Sequence, residues 1–478
     1  MTWTRVSSMA WRPDPQIPAS RVGGAMDLDA IFKAYDIRGT FPDQIDAAGC
    51  HAIGAAFARF ALDEGGDVPE IVVARDMRPS GVGLAAAFSD GVRSQGVDVV
   101  DLGLASTDLV YFASGSRAAP GAIFTASHNP AQYNGIKFCL AGARPVGADT
   151  GLERVKELAA SGVAPVATAG SSSSLDLLGK FADHVRSFVD VSAFRPLKVV
   201  ADTANGMGGL VVPAVFESLP FDLEIMYAEL DGTFPNHPAD PIQPENQRDL
   251  CARVREVGAD VGFAFDGDAD RVFVVDEQGQ GLSGSVTTAL VARGVLEKEP
   301  GATVLHNLIC SKVVPEVVRE NGGTPVRTKV GHSYIKAEMA RTGAAFGGEH
   351  SAHYYFRDNY RADSGLIAAM LVLERLCAGT EAMSMVRRPF DRYADSGEIN
   401  TQVASPFDVI DAVAATYAER HPDAVQDRLD GLTVDLGDWW FNLRPSNTEP
   451  LLRLNLEART RNECDTHTSE LLHLITKG

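Results

Sequence analysis

The sequence predicts an α/β protein: three consecutive mixed-sheet α/β domains and a C-terminal α+β domain, set around a central cleft. Three observations carry this expectation. Short apolar strands alternate with alanine-rich amphipathic helices from residue 28 to residue 390, an order that builds mostly parallel sheets covered on both faces. At 478 residues the chain is too long for a single core. Beyond residue 391 the pattern changes to closely spaced antiparallel strands and a terminal helix.

Taken in order, residues 1–26 contain Pro, Ser and Arg but no apolar h-region. They are no secretory signal and read as a disordered extension or an upstream start-site choice. The first domain, 27–170, opens on a compact YDIRG turn, continues through the strands IVVARD and VDVVDLG, and reaches a strand at 121–124 that ends in TASHNP. The run VAPVATAGSSSS lacks large apolar residues and reads as a linker or surface loop. The second domain, 171–280, holds a helix, LGKFADHVRSFV, a strand entering a Gly-rich helix start, and the closing stretch VGFAFDGDADRVFVVD. In the third, 281–390, the strand-loop-strand AAFGGEHSAHYYF has the layout of that closing stretch. The fourth, 391–478, carries RPSNTEP between two strands.

Asp266, Asp268 and Asp270 stand on alternate positions between two apolar strands. Three carboxylates converging there repel one another unless a cation intervenes, and oxygen-only ligands suit magnesium or calcium. A turn-forming Asp-Gly pair is the bland alternative. An EF-hand is excluded, because Arg271 stands where that loop requires Gly and the flanks are strands. Arg271 beside the carboxylates suggests a further anion, a phosphate, at the same place. Ser127 and His128 are sequence neighbours without a G-x-S-x-G elbow, which argues against a hydrolase triad. A serine that carries a phosphoryl group fits better, since a phosphoserine completes an aspartate-bound metal.

The formal charge of −20 argues against nucleic acid or an anionic membrane as partner, so an anionic substrate needs locally gathered Arg and Lys. Six scattered cysteines without a C-x-x-C pair read as reduced residues of a cytoplasmic protein.

TASHNP, DGDADR, GEHSAH and RPSNTEP, in that order and with YDIRG and NGIKF, resemble the active-site loops of the α-D-phosphohexomutase superfamily, over nearly the whole chain from Met26. GEHSAH followed by YYF is most similar to its phosphomannomutase/phosphoglucomutase branch. The resemblance implies that Ser127 is the phosphoserine and that its phosphate, Asp266, Asp268 and Asp270 bind Mg2+. It implies acid/base work, or holding of the phosphoserine, by Arg38, Lys137 and His353, with His128 and Arg271 contacting or ordering the phosphoryl group. Lys137 serves as a base only if its surroundings lower its pKa. Glu349 and Ser351 are implied to bind sugar hydroxyls, Arg444, Ser446, Asn447 and Thr448 the distal phosphate, and Lys329 and His332 to add to these contacts. The implied partners are small hexose phosphates, with hexose 1,6-bisphosphate as activator and intermediate, acted on by a monomer or homodimer. Phosphoglucomutase and phosphoglucosamine mutase are the near alternatives, and a metal-dependent phosphatase with Asp266 as nucleophile is the distant one.

Overall fold

The computed structural model describes residues 26–445 and 451–477, so the N-terminal extension and Ser446, Asn447 and Thr448 lie outside the described residues. Four sheets follow one another along the chain. In the first, Asp98–Leu104, Glu70–Arg75 and Gly121–Phe124 lie parallel, and Tyr133–Leu140 returns antiparallel beside the last. In the second, Phe221–Met226, Leu197–Asp202 and Val261–Phe265 are parallel and Val272–Asp276 returns. In the third, Thr324–Thr328, Thr303–Asn307 and Phe346–Gly348 are parallel and Tyr354–Phe356 returns. Counted over these four strands of each unit, the strand order is 2-1-3-4 three times over, and the first sheet adds Ile37–Thr40, Arg144–Pro145 and Ser172–Ser174. The fourth sheet, from Ala394–Gln402 to Val425–Asp427, is antiparallel throughout.

This repetition places the site. TASHNP, DGDADR and GEHSAH each fill the turn between the third parallel strand and its antiparallel return. That turn lies at the carboxyl end of a parallel strand, where open α/β sheets collect ligands. Val261–Phe265 and Val272–Asp276 are buried at every position, as strands covered on both faces are.

The Ser-rich run departs from its reading as a linker. Ser172–Ser174 pairs parallel with Val99, Val100 and Asp101 as an exposed edge strand of the first sheet. Open backbone groups on that edge outweigh the poor strand propensity of serine.

One apolar core runs from Val72 and Ile123 through Phe263 and Val274 to Ala289, Tyr354 and Leu366, so it joins the first three units. The last domain buries its own core around Ile410, Leu432, Phe441, Leu454 and Leu471. It meets the third unit through polar contacts, including Lys312 Nζ to Asp435 at 2.7 Å and the Lys312 amide to Glu457 at 2.9 Å. The core of the fourth domain is therefore separate from the one that the first three units share. Among the described residues no helix is long and apolar enough to cross a membrane.

Candidate active site

Ser127 follows the strand Gly121–Phe124 in a left-handed conformation, φ 48°, that a residue with a Cβ adopts only when its surroundings hold it. Its amide donates to Thr125 Oγ1 at 2.9 Å, and its hydroxyl donates to Asp266 Oδ2 at 2.8 Å. The first and second loops therefore meet at the serine.

Asp266, Asp268 and Asp270 are all buried, and each offers an oxygen to a common point. Lys137 Nζ, from the return strand of the first sheet, donates to Asp268 Oδ2 at 2.7 Å and Asp270 Oδ2 at 2.8 Å. Arg271 donates to Asp266 from its amide and its Nε, at 3.1 and 3.0 Å. Burial pushes Asp266 up to about 7, against the Arg271 charge. Burial acts the same way on Asp268, but Lys137 outweighs it and holds that carboxyl well below the usual range. For Lys137, burial opposes the charge and Asp268 and Asp270 overcome it, so its pKa lies well above that of a free lysine. The lowered pKa required of a lysine base is not what these surroundings produce; Lys137 sits here as a charged donor.

His128 accepts from Arg271 Nη2 at 2.7 Å through Nδ1, which places a neutral ring's proton on Nε2. Arg38 donates to Asp36 at 2.8 Å and to Asn129 Oδ1 at 2.9 Å, beside the serine. His353 reaches the cluster from the third loop, whose backbone forms a bridge with Arg271. Its Nδ1 bonds Asp363 Oδ2 at 2.8 Å, and Nε2 has no hydrogen-bond partner among the described residues. Burial would lower the His353 pKa, but Asp270 and Asp363 raise it overall.

The sugar loop presents Glu349, buried and held by Tyr355 Oη at 2.9 Å, Asn307 Nδ2 at 3.3 Å and Ser351 Oγ at 3.3 Å. His350, next to it, turns away and shares a 3.0 Å hydrogen bond with Ser285. Arg444 lines a cavity of about 380 Å³ with Lys33, Tyr35, Lys329, Arg453 and Asp430, so the first, third and fourth units gather four cations and one carboxylate there. Lys329 Nζ lies 5.5 Å from the Tyr334 ring centre, and His332 packs edge-on against Tyr35 with ring centres 5.0 Å apart.

Sequence reasoning missed several residues that shape this arrangement. Thr107, in the first turn of the helix Thr107–Arg117, donates through Oγ1 to Asp268 Oδ2 at 2.6 Å. Tyr355, Asn307 and Asp363 orient first-contact side chains, and Lys33, Tyr35 and Arg453 complete the cationic cavity. A signal existed for Tyr35, which belongs to YDIRG, and for Tyr355, which belongs to YYF; the others carry none.

Four family profiles match the chain in succession: the phosphoglucomutase/phosphomannomutase alpha/beta/alpha domain I over residues 29–162, domain II over 179–280, domain III over 283–393, and the C-terminal domain over 398–471. The chain belongs to the phosphoglucomutase/phosphomannomutase family. Among its relatives, a phosphomannomutase of Salmonella montevideo is 40% identical over 455 residues, covering 93% of this chain and 98% of the relative. The phosphohexose mutases of Xanthomonas campestris are 40% identical over 449 residues, with the same two coverages of 93% and 98%. A solved phosphoglucomutase/phosphomannomutase family protein from Burkholderia thailandensis superposes with a TM-score of 0.84 at 33% identity, over 94% of this chain and 98% of that one. The protein is a phosphohexomutase, an isomerase of carbohydrate metabolism.

Proposed function

We propose that this phosphohexomutase is a magnesium-dependent phosphomannomutase, interconverting mannose 6-phosphate and mannose 1-phosphate through phospho-Ser127 and a hexose 1,6-bisphosphate, with glucose phosphates as further substrates. The observation that carries the reading is the presence of one anionic and one cationic centre. Ser127 touches the triad of aspartates, while Arg444, Lys329, Lys33 and Arg453 gather around a separate cavity suited to a second phosphate.

The triad fits a hard cation: its donors are oxygens only, and Asp268 Oδ1 and Asp270 Oδ1 are buried without a hydrogen-bond partner among the described residues. Asp266, Asp268, Asp270 and the phosphate on Ser127 would hold Mg2+, which when bound neutralises charge on the transferring phosphoryl group.

The remaining chemistry belongs to side chains. A sugar hydroxyl oxygen attacks the phosphorus of phospho-Ser127, the bond from phosphorus to Ser127 Oγ breaks, and the hydroxyl proton passes to a base. His353, with Nδ1 fixed by Asp363 and Nε2 without a hydrogen-bond partner among the described residues, is that acid/base group. Lys137 and Arg38 carry positive charge beside the serine and stabilise the departing oxygen. Glu349 and Ser351 accept from vicinal sugar hydroxyls, and Arg444 anchors the phosphate that does not react. The intermediate carries phosphates at C1 and C6, so turning it over returns either end to Ser127. A fourth domain with its own core can yield while this happens.

The test is a coupled assay of mannose 1-phosphate, glucose 1-phosphate and glucosamine 1-phosphate with a trace of hexose 1,6-bisphosphate. Fastest turnover on mannose 1-phosphate, phosphate on Ser127 by peptide mapping and loss of turnover in Ser127→Ala are expected. Equal rates on the first two sugars remove the mannose preference, and turnover in Ser127→Ala removes the mechanism.

A further inference from the structure

Arg78 is fully buried, yet it lies outside every motif that identifies the site. All five of its guanidinium N–H groups are used. Nε donates to Asp76 Oδ2 at 3.2 Å, Nη1 to the carbonyls of Pro130 and Tyr133 at 2.8 and 3.0 Å, and Nη2 to those of Ser127 and Asn129 at 2.9 and 2.7 Å. Four carbonyls of one loop thus converge on a single planar cation. The Pro130 carbonyl also accepts from the Tyr133 amide at 3.0 Å, while those of Ser127 and Asn129 lie outside any strand or helix ladder, and a buried carbonyl without a donor is strongly disfavoured.

The second unit presses on the same point. A Cβ on Gly232 would lie 2.6 Å from Arg78 Cα, and one on Gly267 would lie 2.4 Å from the Ser127 carbonyl oxygen. The Phe234 ring centre is 5.2 Å from the guanidinium carbon. Arg78 therefore stands between the loop that carries Ser127 and the unit that carries the aspartates.

We propose that Arg78 is the positioning residue of the phosphoryl-carrying loop. It holds Ser127 in its left-handed conformation, so that Oγ faces Asp266, by gathering the carbonyls of residues 127, 129, 130 and 133. Asp76 holds the guanidinium in turn, through Nε and through the Arg78 amide at 2.9 Å. Lysine cannot substitute, since three N–H groups radiating from one nitrogen do not match a planar fork of five. This role rests on Ser127 as the phosphoryl carrier. It adds a residue that touches neither substrate nor metal.

The test compares full-length wild type with Arg78→Lys, Arg78→Met and Asp76→Asn. Thermal unfolding, kcat and KM for mannose 1-phosphate, and the fraction of Ser127 phosphorylated after incubation with hexose 1,6-bisphosphate are measured. A misplacement of about 1 Å at a reacting group lowers rate on the order of 100-fold. Arg78→Lys is expected to stay folded and to keep KM within about twofold while kcat falls by about that factor. Arg78→Met is expected to fall further, and phosphorylation of Ser127 to slow in parallel with kcat. Asp76→Asn keeps the fork and is expected to lose less than Arg78→Lys. Wild-type kcat in a folded Arg78→Lys overturns the proposal. So does unfolding of both Arg78 variants with normal kcat in Asp76→Asn, which makes Arg78 a residue of stability only. Ser127→Ala run alongside separates the two levels: if it retains turnover, the carrier assignment fails, whereas loss there with normal kcat in Arg78→Lys refutes the clamp alone.

Discussion

Replacing Asp268 by Asn separates phosphoryl transfer from substrate binding, because the change is isosteric and removes one unit of charge. Asp268 Oδ2 accepts from Thr107 at 2.6 Å and Lys137 at 2.7 Å, and Oδ1 is buried without a partner among the described residues. The three carboxylates face two cationic side chains, Lys137 and Arg271, so the substitution takes the group from one net negative charge to none. At an effective dielectric constant near 20, a divalent ion about 4 Å from one carboxylate gains about 8 kcal/mol gross. Desolvation returns a large part; if half survives, about 4 kcal/mol is lost, or roughly three decades in affinity or rate. Among the described residues, Glu349, Lys329 and Arg444 share no hydrogen-bond partner with Asp268. Effects at such separate groups add to within about 0.5 kcal/mol, so sugar-phosphate affinity is expected to hold within about twofold. Isothermal calorimetry of mannose 1-phosphate and of Mg2+, beside the coupled assay and a thermal melt, reads all three quantities. A folded Asp268→Asn protein that keeps a tenth of wild-type turnover, or that loses mannose 1-phosphate binding, refutes the division between the two halves of the site.

Two further outcomes are expected. Tyr355→Phe deletes the 2.9 Å hydrogen bond to Glu349, and bonds to charged groups contribute about 1.5–3 kcal/mol, so KM for hexose phosphates is expected to rise roughly tenfold; steady-state kinetics showing an unchanged KM contradicts the orientation of Glu349 by Tyr355. Burial pushes the His306 imidazole down to about 4, while the unfolded chain protonates near 6.5. The unfolded state then binds the extra proton between these values, so stability is full above about 6.5 and falls as pH drops towards 4. From pH 7 to pH 5 the loss is about 2 kcal/mol, and urea unfolding of His306→Gln should lack it; parallel pH slopes for the two proteins dismiss the assignment.

What the sequence makes legible here is what is local in it. Asp266, Asp268 and Asp270 advertise a cation because three like charges within five positions need one, and the four loops stand in chain order between strands whose apolar pattern marks them. The threefold 2-1-3-4 strand order is hidden, since which strands neighbour each other is decided across tens of residues; only the likeness of DGDADR and GEHSAH in layout hints at it. Ser172–Ser174 is hidden for the opposite reason: its composition says loop, and only the open edge beside Val99 makes it a strand.

The sharper divide falls within the site. Residues proposed to face ligand carry chemical identity in their type, so Ser127, Glu349 and Arg444 stand out. Residues that fix those residues are recognised by their partners, and their partners are backbone carbonyls or side chains from another unit. Arg78 meets four carbonyls, Thr107 reaches Asp268 across units, and Ser364 donates to Asp108 at 2.7 Å, joining the third unit to the first. Lys137 shows the consequence for chemistry. Its type alone admits a base or a surface charge, and the sum of burial, Asp268 and Asp270 decides for a charged donor. Function in this chain is therefore a property of how three repeated units close on one another: each supplies a loop at the same turn, and none of the three loops makes a site alone.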